Sequence, residues 1–407
     1  MDIAVVGAGW VGAVMAVVLV EAGHSVIAFD NNIERVASFQ RGEVPFHEPG
    51  FTEALQTALA TGRLQFAALD DVPEGVGALT AQVAFLCVPT PSGEDGSADL
   101  SILESAALWS VARLPQNALL VVKSTTPPGT AAALSAQLGG YAVATNPEFL
   151  AESTALRDAR EPSRIVVGAL NEQDHALLRQ VYAFWIESGT PYVALDCASA
   201  EMSKYAANAF LAVKVSYANE LSRIAEAVGA NPAAVLQSLG FDDRIGKKFL
   251  RYGLGWGGGC FPKDVRALQR FSVEASAPTS ILSAAYSVNA DRISYYADKI
   301  AQAAGGSLAG VVVAQFGLAF KAGTDDVRES PAIFLMEELL RRGALVRVYD
   351  PAPATRLTTL YPSVVFVESI PEALQSAQVA VIATDWPDFA ELRDPSASRI
   401  PFVDARP

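Results

Sequence analysis

The sequence predicts an α/β protein: two doubly wound, parallel-sheet units joined by a long central helix and a helical middle region. Three observations carry this expectation. A β-branched run at residues 2–6 opens onto a glycine turn and an apolar helix that reaches Glu21. Residues 198–228 contain neither Gly nor Pro and hold a helical pattern throughout. The rhythm of strand, turn, helix and strand then returns at residues 310–350. The expected divisions are 1–196, 197–303 and 304–407.

Composition narrows the function. With 51% hydrophobic residues in 407 and 18% charged, the chain can fill a core. No window holds the roughly 18 consecutive apolar residues that would span a membrane. Met1-Asp2 carries no basic segment, so no signal peptide is expected. A net charge of −14 argues against nucleic acid, which requires clustered Lys and Arg. Three cysteines, Cys87, Cys197 and Cys260, fit a reducing cytoplasm better than a disulfide framework. The histidines His24, His47 and His175 lie far from them in sequence, so neither a metal site nor a His-dependent triad is expected.

In the first unit, Asp2-Ile-Ala-Val-Val6 leads into Gly7-Ala-Gly9-Trp-Val11-Gly12, and Ser25–Phe29 forms a second strand ending at Asp30. This is a dinucleotide-binding, Rossmann-like arrangement. Gly7 permits the tight turn, Gly9 the approach of a pyrophosphate, and Gly12 close helix–strand packing. The helix N-terminus offers its amides to the phosphates. Asp30 can accept from both ribose hydroxyls and would repel a 2′-phosphate, which favours NAD over NADP. Strands at 81–88 and 118–122 end near Thr90 and at Lys123-Ser124-Thr125, where such a sheet places ligand contacts; ordinary strand-end capping is the alternative. Cys87 lies within the first of these strands and reads as a small buried hydrophobe. In Asn146-Pro-Glu148-Phe149-Leu150-Ala-Glu152, the two carboxylates share a face if the stretch is helical, as an acid/base pair or as a solvated helix start.

The central helix, about 45 Å long at its 30-odd residues, is expected to connect two domains and to carry a dimer interface. Glu201, Lys204 and Asn208 line one polar stripe on it, with solvent as the plain alternative. Beyond it, Gly253-Leu-Gly255-Trp-Gly257-Gly258-Gly259-Cys260 places five glycines in seven residues ahead of a thiol, with Lys263 and Asp264 following. Such a run suits a flexible lip presenting a nucleophilic Cys260, its thiolate favoured by the nearby cation. A glycine-rich surface loop with an incidental thiol would look the same. A helix is expected from Val265, another over 280–303, and a second α/β unit from Gly310. That unit lacks the glycine fingerprint, and Lys321 and Arg328 are its candidate phosphate-binding cations.

Seven motifs in order resemble the UDP-glucose/GDP-mannose dehydrogenase family over nearly the whole chain. They are GAGWVG at 7–12, CVPTP with DGSADLS at 87–101, KSTTPPGT at 123–130, NPEFLAES at 146–153, EMSKYAAN at 201–208, GWGGGCFPKD at 255–264 and GLAFKAGTDDVRESP at 317–331. The resemblance implies a four-electron oxidation of a nucleotide-sugar primary alcohol with two NAD reduced per turnover. UDP-glucose is the implied substrate, with GDP-mannose or a UDP-N-acetyl amino sugar as the alternative. Cys260 would carry a thiohemiacetal and then a thioester. Lys204 and Asn208 would stabilise the oxyanion, and Glu152, Thr125 and Asp264 would position or activate water. Gly7, Gly9, Val11, Gly12, Asp30, Arg35, Thr90, Lys123, Thr125, Glu152, Lys263 and Arg328 would meet the cofactor. Glu148, Phe149, Leu150, Lys204, Asn208, Phe249, Tyr252, Gly257, Phe320 and Lys321 would meet the sugar nucleotide, with Arg244 reaching it from a neighbouring subunit of a homodimer. Two positions depart: Gly259 stands where the family usually has Ser, and Gln315 occupies a strand position that suits an apolar residue. A sugar-nucleotide-binding regulator without catalysis, or a single-step alcohol dehydrogenase, would release none or one NADH rather than two.

Overall fold

Parallel strands that are buried on both faces organise each half of the chain. The protein, seen here in a computed structural model, is described over residues 1–93, 95–352, 357–394 and 400–406. It divides into two compact units, one of residues 1–206 and one from 207 onward. That boundary falls within the helix Cys197–Ala227.

The first unit holds eight strands: β1 (Asp2–Val6), β2 (Ser25–Asp30), β3 (Leu64–Ala68), β4 (Val83–Leu86), β5 (Leu119–Val122), β6 (Val143–Thr145), β7 (Ile165–Gly168) and β8 (Tyr192–Leu195). Their order is β3-β2-β1-β4-β5-β6-β7-β8, and only the β6–β7 pairing is antiparallel. The β1, β4 and β5 runs are almost wholly Val, Ile, Leu, Ala and Phe because helices cover both faces, leaving no side for a polar residue. Strand order reverses between β1 and β4, so a crevice opens at their carboxyl ends. Gly7 follows β1 there, and Thr90 lies beyond β4.

The second unit carries β9 (Val312–Phe316), β10 (Leu345–Tyr349), β11 (Val365–Phe366), β12 (Val379–Ile382) and β13 (Phe402–Asp404) in the order β11-β10-β9-β12-β13, every pairing parallel. Its reversal lies between β9 and β12, which brings the Gly317–Arg328 connection to that crevice. The two doubly wound sheets and the helical stretch between them are the predicted fold class. Gln315 is fully buried in β9, and its amide donates to the Gly317 and Ala332 carbonyls, which is why a polar residue serves there.

Two local expectations are corrected. The helix after the glycine run begins at Phe261, four residues earlier than Val265, because Pro262 at its first turn needs no amide partner. Residues 148–152 are not helical. Pro147 biases Asn146 toward extended backbone, Glu148 accepts the Leu150 amide, and Ser153 adopts φ 64°. Glu148 and Glu152 therefore share no helix face. Among the described residues no helix is long and apolar enough to cross a membrane.

Candidate active site

In the first unit the glycine turn is built for a phosphate. A Cβ on Gly7 would stand 2.8 Å from the Cys87 carbonyl oxygen, and one on Gly12 would stand 1.9 Å from that of Gly7. Both must be glycine. In front of Gly9 a Cβ would meet nothing within 4 Å, and no side chain caps the first turn of the helix Trp10–Glu21. Its amides, with half-buried Val11 among them, are therefore available to an anion. Asp30, 4% exposed at the end of β2, is held by Arg35 Nη1 at 3.0 Å and accepts the Asn32 amide at 2.8 Å. This open cradle with an acid at the second strand end fits a dinucleotide.

At the other strand ends, the Thr90 hydroxyl donates to the Thr125 carbonyl at 2.8 Å, joining the loops after β4 and β5. Lys123 is buried and donates to Asn146 Oδ1 at 2.8 Å. Burial, with Lys204 nearby, brings its ammonium down to about 8 against the pull of Cys87 and Glu148. Lys204 donates to Glu148 Oε1 at 2.9 Å, and the two side chains are 4% and 10% exposed. Burial pushes the Glu148 carboxyl up, but Lys204, the Leu150 amide and Lys123 together hold it below the usual carboxylate range. The Phe149 ring centroid lies 3.8 Å from the Arg164 guanidinium and 5.5 Å from the Lys204 ammonium. Glu152 is half-buried in the turn beyond.

In the second unit the glycine run is not a flexible lip. Residues 253–258 are buried. A Cβ on Gly253 would come within 2.5 Å of the Ala405 carbonyl oxygen, on Gly255 within 2.2 Å of Asn289 Oδ1, and on Gly257 within 2.1 Å of the Glu329 carbonyl oxygen. One on Gly258 would press the Phe320 ring at 2.9 Å, and one on Gly259 the Arg328 guanidinium at 2.9 Å. Close packing on all sides, rather than freedom, explains the glycines. Gly257→Ala is expected to cost more than about 1 kcal/mol, since a neighbouring backbone would have to move. The drop in thermal midpoint measures it.

Cys260 sits at the N-cap of the helix Phe261–Glu274 and is exposed. The helix start therefore favours negative charge on its sulfur, a contribution the sequence reading gave to Lys263 alone. Cys87 and Cys197 are buried, and burial pushes both thiols up to about 12. One turn into that helix, Asp264 is 1% exposed and accepts Asn208 Nδ2 at 2.6 Å and Lys263 Nζ at 2.7 Å. Asn208 and Lys204 stand one turn apart on the Cys197–Ala227 helix. Phe249 holds φ 61°, unusual for an aromatic residue, with its ring 6.1 Å from that of Phe261. Tyr252, Phe320 and Lys321 are half-buried, with the Lys321 ammonium 5.5 Å from the Phe320 ring. Arg328 is held by Asp326 at 2.6 Å. Arg244 is 89% exposed and pairs with Asp242 of its own turn at 2.6 Å.

Sequence reasoning missed the residues that clamp the glycine run. Asn219 accepts the Gly253 amide at 2.8 Å, and fully buried Arg292 donates to the Gly253 carbonyl at 2.8 Å. The Asn289 amide closes both bonds of Trp256, accepting at 2.8 Å and donating at 3.0 Å. Arg406 donates to the Gly255, Ala383 and Phe320 carbonyls. Asn289 and Arg292 are three apart on the helix Ser280–Ala303, so a polar pair on an otherwise apolar face was the available signal.

Residues 1–186, 198–291 and 314–406 match, in turn, the NAD binding, central and UDP binding domains of the UDP-glucose/GDP-mannose dehydrogenase family. The chain belongs to that family. It is an NAD-dependent nucleotide-sugar 6-dehydrogenase, and NAD is the cofactor its first-unit cradle fits. A UDP-glucose 6-dehydrogenase of Pseudomonas aeruginosa is 39% identical over 428 residues, covering 100% of this chain and 93% of that protein. A UDP-glucose dehydrogenase structure from Pyrobaculum islandicum superposes with TM-score 0.90 at 38% identity, covering 100% of this chain and 94% of that one. A UDP-D-ManNAc dehydrogenase structure from Pyrococcus horikoshii gives TM-score 0.86 at 26% identity, covering 100% and 95%. Family membership accounts for the pairing of a dinucleotide cradle with a second sheet that lacks the glycine fingerprint.

Proposed function

We propose that this dehydrogenase oxidises the C6 alcohol of UDP-glucose to the carboxylate in two steps, through a covalent adduct on Cys260. The observation that carries the reading is the exposed thiol at a helix N-terminus, on a glycine run clamped from all sides, with the Asn208–Asp264–Lys263 chain one turn away. NAD supplies the hydride acceptor for each oxidation. The first step gives the C6 aldehyde. Cys260 Sγ then adds to the aldehyde carbon, and the oxygen takes a proton to complete the thiohemiacetal. Loss of a hydride from that carbon, with the hydroxyl proton released, leaves a thioester. Water cleaves the C–S bond, releasing the uronic acid and restoring the thiol.

Lys204 and Asn208, on one helix, are the donors assigned to the developing oxyanion. Glu148 holds the Lys204 ammonium in place, while Glu152, Thr125 and Asp264 position or activate the water. Thr90, Lys123, Asp30, Arg35, Lys263 and Arg328 serve the cofactor, and Phe249, Tyr252, Gly257, Phe320 and Lys321 the sugar nucleotide. The enzyme acts in the cytoplasm as a homodimer. Exposed Phe210, Tyr217 and Ile224, seven residues apart on the long helix, support pairing of two copies, with Arg244 reaching the neighbouring site.

The test is the NADH released per mole of UDP-glucose, with GDP-mannose and UDP-N-acetylmannosamine alongside. Two NADH from UDP-glucose are expected. One would remove the thioester route, turnover of another sugar nucleotide alone would move the substrate, and none from any would sink the enzyme reading.

A further inference from the structure

The Cys197–Ala227 helix does more than carry Lys204. One turn before Lys204, Glu201 is 2% exposed, and both carboxylate oxygens point at the start of the helix Thr130–Gln137. Oε2 accepts the Gly129 amide at 2.6 Å and Oε1 the Ala131 amide at 2.8 Å. Gly129 itself, at φ +97°, has no side chain with which to cap that helix. The cap comes instead from a residue 72 positions along the chain. Those amides end the loop that leaves β5 as Lys123-Ser124-Thr125. Near its start the loop is held by the bond from Thr90 to the Thr125 carbonyl, and Glu201 holds its other end. Three residues on, Lys204 grips Glu148 in the loop after β6. One turn of helix thus ties both strand-end loops.

We infer that Glu201 is a positioning residue, setting Thr125 and its loop against Lys204 for the reaction proposed above, on which the inference rests. Burial pushes the Glu201 carboxyl up to about 7, against the Gly129, Thr130 and Ala131 amides, and Asp196 just before the same helix adds to the rise. A carboxyl raised in the folded state contributes stability that is fully present below the unfolded value near 4.5 and lost as pH rises through about 7. At neutral pH the fold therefore keeps less of that contribution than it has at low pH. Among the titratable neighbours, Asp196 faces it from just before its helix and Cys197 from the first turn, and the start of the Thr130–Gln137 helix presents amides.

Glu201→Gln keeps the shape but turns one oxygen into an amide group facing an N–H donor. In the full-length enzyme at pH 8, kcat is expected to fall about tenfold to a hundredfold, the scale of a small misplacement of reacting groups. The thermal midpoint should move little at that pH, because loss of the buried charge offsets the acceptor that one amide loses. In the wild type kcat/KM should rise through about pH 7 as Glu201 ionises, and that limb should disappear in the variant. A lower midpoint with kcat and the limb intact would make Glu201 merely structural and overturn the inference. Amide exchange at Gly129 and Ala131 reads the same point without turnover. It should quicken in Glu201→Gln, and unchanged exchange also overturns the inference, even for an enzyme that oxidises no nucleotide sugar tested.

Discussion

Cys260→Ser is expected to slow NADH release from UDP-glucose by roughly 10³-fold or more, the scale on which loss of a covalent nucleophile is felt. The start of the Phe261–Glu274 helix favours a thiolate on Cys260. A serine hydroxyl does not ionise there, so the same dipole does little for it. Cys87 and Cys197 cannot substitute, since burial holds both as neutral thiols. Two measurements check this: steady-state NADH release, and the mass of the Cys260 peptide after acid quench, which should carry the sugar nucleotide in the wild type only. A variant that released two NADH per sugar at the wild-type rate would end the covalent route.

The second large effect concerns the fold and the site together. Lys204→Met leaves Glu148 buried without its ion-pair partner, and breaking such a pair is expected to cost about 3–5 kcal/mol of stability at pH 7. The pH dependence follows from signs. In the wild type the Glu148 carboxyl lies below its ordinary range, so its pairing contributes stability that is present above the unfolded value and lost as pH falls through the folded one. Without Lys204, burial, the largest influence on that carboxyl, is no longer outweighed, and the group moves up. The variant should therefore gain more stability than the wild type as pH falls from 7 toward 5, since the gain from Glu201 is common to both. Denaturant unfolding at the two pH values reads the difference. Adding Glu148→Gln should recover most of the loss, because the unpaired charge is then removed. If Lys204→Met unfolded like the wild type at both pH values, the pair would be structurally unimportant.

Much of this protein could be read along the chain. The β1 turn needs Gly7 and Gly12 for reasons set within about ten residues, and the central helix was bounded to a residue or so by the absence of Gly and Pro. The Glu148/Glu152 pair misled because helical spacing says nothing without a helix, and Pro147 with the Leu150 amide settles the local backbone otherwise. The glycine run misled for a different reason. Its composition reads as freedom, but each missing side chain answers to an atom from Asn289, Phe320, Arg328, Glu329 or Ala405, 34 to 152 positions away.

By itself, the sequence determined the α/β class, the dinucleotide cradle, the thiol and the family, because periodicity, turns and motifs are local properties of the chain. The tertiary structure alone decided that the glycine run before Cys260 is closely packed, that Lys204 is held by Glu148, and that Glu201 caps a distant helix. Those outcomes depend on which buried polar groups meet across long loops. A buried amide or charge must find a partner somewhere, and sequence spacing does not say where.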